Sequence, residues 1–354
     1  MSLVGARVLR VEDARLLTGR GAYVADVPVA ALAHMVVIRS DHPHAELRAI
    51  DTTTARAMPG VLGVFTGADY TAEGLGAIPW ELRPPGVPAT VALGDPRIAS
   101  PQPVLAQGVV RDQGEPIAIV VAESHAAALD AAEAVVIDCT ARAAVLNARA
   151  AERTDAPQIW PQLAGNICFR VRAGDATLAA KAFADAHHVT RLRLDIPRLV
   201  QNPIEPRSYL GEYAEGRYTL HAAAGKPQTI GRAIARDCFG IPADRVRVIA
   251  RDVGGSFGAK NTLYAESILV LWAARKLGRP VRWVASRTDC FLSDMQAREQ
   301  SVDAALALDA NGRITALRAR ILTNLGAYLG QRGATPPNLM SKIITSMYDI
   351  PLLD

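Results

Sequence analysis

The chain has 354 residues, half of them hydrophobic, and a formal net charge of +4. That length has room for two or more domains at roughly 150 residues each, and the composition supports a sizeable core and excludes global disorder. Arginine is scattered, with no basic stripe interleaved with aromatics, so the sequence argues against nucleic-acid binding.

No uncharged apolar run reaches the roughly 18 residues of a membrane span. The richest stretch, residues 116–136, is broken by Glu123, Asp130 and Glu133. Residues 1–21 lack the continuous apolar segment of a signal peptide, so a cytoplasmic protein is expected. The four cysteines, Cys139, Cys168, Cys238 and Cys290, form no C-x-x-C pair. They predict separate thiols in a reducing compartment and no zinc or iron–sulfur cluster on this chain.

In chain order, residues 34–38, 61–65 and 117–121 are short, rich in β-branched residues and bounded by Gly, Pro or Asp, and predict strands. Residues 126–135 predict an alanine-rich helix and 135–137 a strand. The Pro- and Gly-rich stretch 79–103 predicts a surface excursion. Together these predict an α+β domain over 19–140, and 141–165, broken by Pro157, Pro161 and Gly165, predicts a connector. A second region covers 166–354. Residues 191–196 alternate apolar and charged, as a half-buried strand should, and 218–222 predict another strand. A helix over 228–239 stops at Gly240, a strand follows at 246–250, a long apolar helix over 263–277 closes at Gly278, and 281–284 returns to strand. Residues 302–308 and 314–321 flank Asn311-Gly312, a hairpin signal. The last residues, 348–354, are an apolar run without a polar tail or cap, so the chain is expected to be cut rather than finished.

Residues 252–260, Asp-Val-Gly-Gly-Ser-Phe-Gly-Ala-Lys, carry the most information. Three glycines, Gly254, Gly255 and Gly258, surround Ser256 and Phe257, an aromatic of the kind usually buried. Glycine allows positive φ and close backbone approach, and free N–H groups at a helix start attract anions, so the segment suits a backbone-lined ligand loop. A purely structural glycine turn explains the same spacing. Neither the G-x-G-x-x-G spacing nor a P-loop ending is present. In Gln201–Arg207 two prolines bracket Glu205, and Glu205-x-Arg207 predicts a buried ion pair of structural or positioning use. His42-Pro43-His44 and His187-His188 lack a third metal ligand, and no Ser/His/Asp or Cys/His set emerges.

Several segments in order resemble the molybdopterin-binding large subunit of the xanthine dehydrogenase family, which includes aldehyde oxidoreductases and aerobic carbon monoxide dehydrogenases. They are Arg10 to Gly21 with Asp26, Arg39-Ser40 with His42 to Ala45, Asp51, Met58 to Val61, Thr66 to Asp69, Gly114 to Glu123, Asn202 to Arg207 and Asp252 to Lys260. The resemblance implies an α/β hammerhead domain over 19–140 and the first part of a molybdopterin-binding domain over 166–354. It implies that Gly254, Gly255, Ser256, Phe257 and Gly258 lie against the metal end of the cofactor, Ser256 replacing a common glycine. Glu205 and Arg207 would be structural residues near that site. Gly225, in Ala222 to Gln228, stands where the family places a glutamine that contacts the metal centre. Asn261 would face substrate, and it replaces the glutamate of purine-oxidising members, which argues against xanthine.

Family subunits continue well beyond this length, and their later half supplies most pterin contacts and the general-base glutamate. The resemblance therefore assigns no catalytic residue and no metal ligand to this chain. It implies a molybdenum hydroxylase large-subunit fragment or split subunit using water as oxygen source, inactive without a C-terminal partner that completes the molybdopterin site. Iron–sulfur and FAD groups would reside on other subunits. The alternative is a catalytically incompetent relic or an assembly subunit. Apolar surface is expected where the second half packs.

Overall fold

Residues 116–122, Pro-Ile-Ala-Ile-Val-Val-Ala, carry no polar side chain, so neither face of such a strand suits water. In the computed structural model, which describes residues 4–80, 102–163, 165–330 and 335–354, all seven are buried. The first region contributes β1 (Ala33–Arg39), β2 (Ala45–Asp51), β3 (Val61–Thr66), β4 (Val109–Val110), β5 (Pro116–Ala122) and β6 (Val136–Ala141). The second contributes β7 (His188–Leu199), β8 (Ser208–Ala214), β9 (Arg217–Ala222), β10 (Val246–Ile249), β11 (Val281–Val284), β12 (Ala297–Leu308) and β13 (Ile314–Thr323).

Seven strands from both regions form one mixed sheet, ordered β10-β9-β8-β11-β1-β5-β3. Its seam is β1, antiparallel to β5 on one side and parallel to β11 on the other, with Ala33 opposite Val281. One face of β5, through Ile119 and Val121, joins the main core with Met35, Phe65 and Trp272. The other, through Val120 and Ala122, packs on Ala128 and Ala131 of the helix His125–Glu133. Ser124 caps that helix by accepting from the Ala127 N–H.

The helix Ala265–Leu277 has its first ten residues buried, as a helix apolar on all sides requires. The rings of Phe65 and Tyr70 sit 5.4 and 5.1 Å from that of Trp272, binding the first region to this helix. Gly211 interrupts β8 because the helix passes over it: a Cβ there would lie 2.6 Å from the Val270 backbone. The α+β architecture expected from the sequence is therefore present, as a shared sheet with helices on both faces.

The strands expected at 34–38, 61–65, 117–121, 218–222, 246–250 and 281–284 are β1, β3, β5, β9, β10 and β11. The expected helix over 228–239 begins with Pro227 and continues from Ala233 into a π-helical turn, Ile234–Phe239. There the Cys238 carbonyl accepts from the Gly76 N–H at 2.7 Å, another tie between the regions. The hairpin of β12 and β13 forms, with Asp309 accepting from the Asn311 and Arg313 amides.

The half-burial expected for residues 191–196 is not found. They belong to β7, the edge of a separate sheet ordered β13-β12-β7, and Leu192 and Leu194 are 56% and 45% exposed. The third sheet is β4-β2-β6. The excursion expected over 79–103 falls mainly on residues outside those described. Among the described residues no helix is long and apolar enough to cross a membrane.

Candidate functional site

β10 ends at Ile249 and delivers the chain into the segment 252–260. Its glycines serve two separate needs. Gly255 and Gly258 both take φ of +99°, a conformation other residues adopt only under strain. Gly254 is instead needed for space: a Cβ would stand 2.6 Å from the Glu205 Cβ. Phe257 is not buried as its type suggests. It is 74% exposed at φ +48°, because the loop turns its side chain away from the core.

Glu205 fastens this loop. Its Oε2 accepts from the Gly254 N–H at 2.6 Å and from Lys260 Nζ at 2.8 Å, and its own N–H donates to the Gly254 carbonyl. The Lys260 side chain is fully buried, so the ion pair is shielded from water at its cationic end. Ser256 closes the turn by accepting from the Ala259 N–H through its carbonyl and from the Lys260 N–H through its hydroxyl. The four amides from Gly255 to Gly258 find no acceptor among the described residues. Successive unpaired amides in a turn form a concavity for an anionic or strongly polarised oxygen. Glu205 Oε1 is also buried without a partner.

The loop is anchored from the N-terminal side as well. Arg15 donates to Asp252 through both terminal nitrogens, at 2.5 and 2.7 Å, and the Ala22 N–H donates to the same carboxylate at 2.6 Å. The Arg15 guanidinium, then the Ala22 amide, hold the Asp252 carboxyl well below the usual carboxylate range.

Arg207 does not pair with Glu205. Pro206 separates them, and Arg207 turns into the core, where Nη1 donates to Glu266 at 2.8 Å and Nε to Asp294 at 2.5 Å. Its guanidinium lies 3.8 Å from the Tyr264 ring centre. Glu266 accepts in addition from Arg39 of β1 at 2.6 Å, and Arg39 also donates to Asp289 at 2.7 Å. Burial alone would raise the Glu266 carboxyl, but Arg207 and Arg39 outweigh it and hold it at about 2. This charged cluster locks the first region to the base of the loop.

Gly225 and Asn261 meet. The Gly225 N–H donates to the Lys260 carbonyl at 3.2 Å. A Cβ on residue 225 would stand 2.0 Å from Asn261 Oδ1. The structure thus gathers Gly254, Gly255, Ser256, Phe257, Gly258, Gly225, Asn261 and Glu205 around one turn, with Arg207 behind it. The histidines stand apart: His44 Nδ1 lies 3.0 Å from the Ala143 carbonyl and His188 Nε2 lies 3.1 Å from Thr190 Oγ1. No disulfide joins the described cysteines, and among the described residues no cluster of His, Cys, Asp and Glu is arranged to hold a metal ion.

Sequence reasoning missed the anchors Arg15, Arg39, Glu266 and Lys260. Their partners lie up to 250 residues away, so no local spacing signals them. A charged Glu266 at the start of an otherwise apolar helix was the one local hint.

Comparison with known proteins agrees with this construction. The family described as aldehyde oxidase and xanthine dehydrogenase, a/b hammerhead domain, matches residues 18–142. The molybdopterin cofactor-binding domain family matches residues 159–354. The nicotine 6-hydroxylase large subunit of Paenarthrobacter nicotinovorans is 34% identical, over 99% of this chain and 42% of its own. The carbon monoxide dehydrogenase large chain of Hydrogenophaga pseudoflava is 30% identical, over 98% of this chain and 43% of its own. The crystal structure of quinoline 2-oxidoreductase from Pseudomonas putida 86 superposes with a TM-score of 0.88 at 35% identity, over 99% of this chain and 43% of that one. The chain thus spans a little over two-fifths of the length of these relatives. With a hammerhead domain followed by a molybdopterin cofactor-binding domain, it belongs to the molybdopterin-binding large-subunit family of xanthine dehydrogenases, aldehyde oxidases and carbon monoxide dehydrogenases.

Proposed function

We propose that this chain forms the part of a molybdenum hydroxylase large subunit that grips the metal end of molybdopterin. Its hammerhead region would cover 19–140, a connector 141–165, and the cofactor-binding part 166–354. The observation that carries this reading is the row of unpaired amides from Gly255 to Gly258, held in place by Glu205 and Lys260. Oxygens of the cofactor suit such donors, and the residues fit the group. When bound, the cofactor supplies two-electron oxidation of substrate with oxygen drawn from water.

This chain's own part is to bind and orient. The amides of residues 255–258 hold the cofactor, Ser256 keeps the turn closed, Phe257 presents an apolar surface beside it, and Asn261 faces substrate. The remaining pterin contacts and the catalytic base would come from a C-terminal partner, with iron–sulfur and FAD subunits receiving the electrons in a cytoplasmic assembly.

Lys260→Met in the assembled protein tests the reading. It strips Glu205 of its cation and loosens the loop, so molybdenum and pterin retained per chain fall together. Undiminished retention contradicts the role of the loop. A second reading, a chain that assembles without turnover, is favoured by Gly225, which offers no side chain where the family places a glutamine. Full cofactor content with no oxidation of any N-heteroaromatic or aldehyde substrate supports it.

A further inference from the structure

Besides Ser256, two residues set this chain apart from the pattern it resembles, Gly225 and Asn261, and these two occupy one space. The carboxamide oxygen of Asn261 lies 2.0 Å from where a Cβ on residue 225 would stand, and its Cγ 3.2 Å away. The backbone on both sides is tied down, so relief falls to the Asn261 side chain, whose carboxamide must swing out of this position. The Gly225 N–H is bonded to the carbonyl of Lys260, the residue before Asn261, and Lys260 is pinned by Glu205. A side chain at 225 and an Asn261 carboxamide in this position therefore exclude each other. The carboxamide is half-buried, and neither its oxygen nor its nitrogen bonds to a described residue. It leaves the short helical turn Ala259–Asn261 that follows directly on the unpaired amides of residues 255–258. Neither polar atom of the Asn261 carboxamide is sealed from solvent, so the carboxamide is open to a ligand seated beside the turn.

We infer that Gly225 and Asn261 act as a matched pair, in which the Asn261 carboxamide supplies to the bound cofactor the hydrogen-bonding group that position 225 lacks. The donor has moved from the segment after β9 to the turn after the loop. This rests on the proposed function above in one respect only, the identity of the ligand. Asn261 then touches the cofactor from the edge of the substrate space that it faces, and the missing side chain at 225 is compensated rather than lost.

A double-variant cycle tests the pair through two readouts. The first is the thermal midpoint of the full chain without cofactor. Gly225→Ala lowers it by about 1–2 °C, because the Asn261 carboxamide must leave its position. Asn261→Ala removes the obstacle, so Gly225→Ala/Asn261→Ala regains most of that loss. A Gly225→Ala chain that fails to fold while the double variant folds is the same result in stronger form. Midpoint changes that simply add in the double variant overturn the pairing.

The second readout is molybdenum and pterin retained by the assembled protein. Asn261→Ala retains about fivefold less, and Gly225→Gln/Asn261→Ala recovers it by restoring a carboxamide from position 225. Full retention in Asn261→Ala, or no recovery in the double variant, overturns the cofactor contact. A wild-type assembly without molybdenum overturns both the proposed function and that contact, and the midpoint cycle then judges the steric pair by itself.

Discussion

Replacing Glu266 by Gln removes the single charge between two buried guanidinium groups and keeps the side chain's shape. The Glu266, Arg207 and Arg39 side chains are 2%, 0% and 6% exposed, so solvent screens little of the loss. The arginines hold the carboxyl at about 2, against its usual 4.5, which corresponds to about 3 kcal/mol of stability at neutral pH. Mutational experience with broken buried ion pairs, about 3–5 kcal/mol, points the same way. Glu266→Gln should therefore lose about 3 kcal/mol in urea unfolding at pH 7, followed by the fluorescence of buried Trp272 and Trp283. The folded carboxyl is depressed, so its contribution is present above pH 4.5 and drains away as pH falls toward 2. The gap between wild type and variant should accordingly be constant from pH 5 to 8 and narrower at pH 3.5. A gap under about 1 kcal/mol at pH 7, or an undiminished gap at pH 3.5, refutes the reasoning.

Glu115 behaves in the opposite sense. Buried at the start of β5, it accepts from the Tyr328 hydroxyl and the Arg111 N–H, each at 2.7 Å, and burial pushes its carboxyl up to about 7. The folded chain keeps that proton better than the unfolded one, so this group's contribution is lost as pH rises from about 4.5 to 7. Glu115→Gln should flatten the decline by up to roughly 3 kcal/mol across that window, and parallel urea-midpoint curves for the two proteins would falsify it. Asp252→Ala releases Arg15 and the Ala22 amide, so trypsin should cut after Arg15 and Arg20 faster than in wild type, with little change in the global midpoint. Gly254→Ala forces a Cβ to within 2.6 Å of the Glu205 Cβ. It should speed hydrogen exchange at residues 254–260, whereas unchanged protection there would mean that the loop yields freely.

Those parts of the fold whose determinants are local were legible in the sequence. The unbroken apolar run of β5, the long helix ending at Gly278 and the hairpin around Asn311-Gly312 each carry their own signal, and the structure places them accordingly. β8 escaped notice because Gly211, required by the helix crossing it, breaks the strand pattern. β7 shows proper alternation yet is exposed, since periodicity records which residues share a face and not whether anything covers it. At the site, the glycines and Ser256 announced a loop. The mistaken pairing of Glu205 with Arg207 shows the limit of adjacency, because Pro206 sends the two side chains to Lys260 and Glu266 instead. Likewise Gly225 and Asn261 stood as unrelated departures until the fold brought them into contact.

The central claim is that the turn at residues 255–258 holds molybdopterin. Its most direct test is the molybdenum and pterin content of the protein purified from the organism that encodes it, with co-purifying chains identified. The account predicts molybdenum and pterin in equal amounts, near one per chain, together with a partner that completes the cofactor site. A chain purified under molybdenum sufficiency that carries neither metal nor pterin contradicts it.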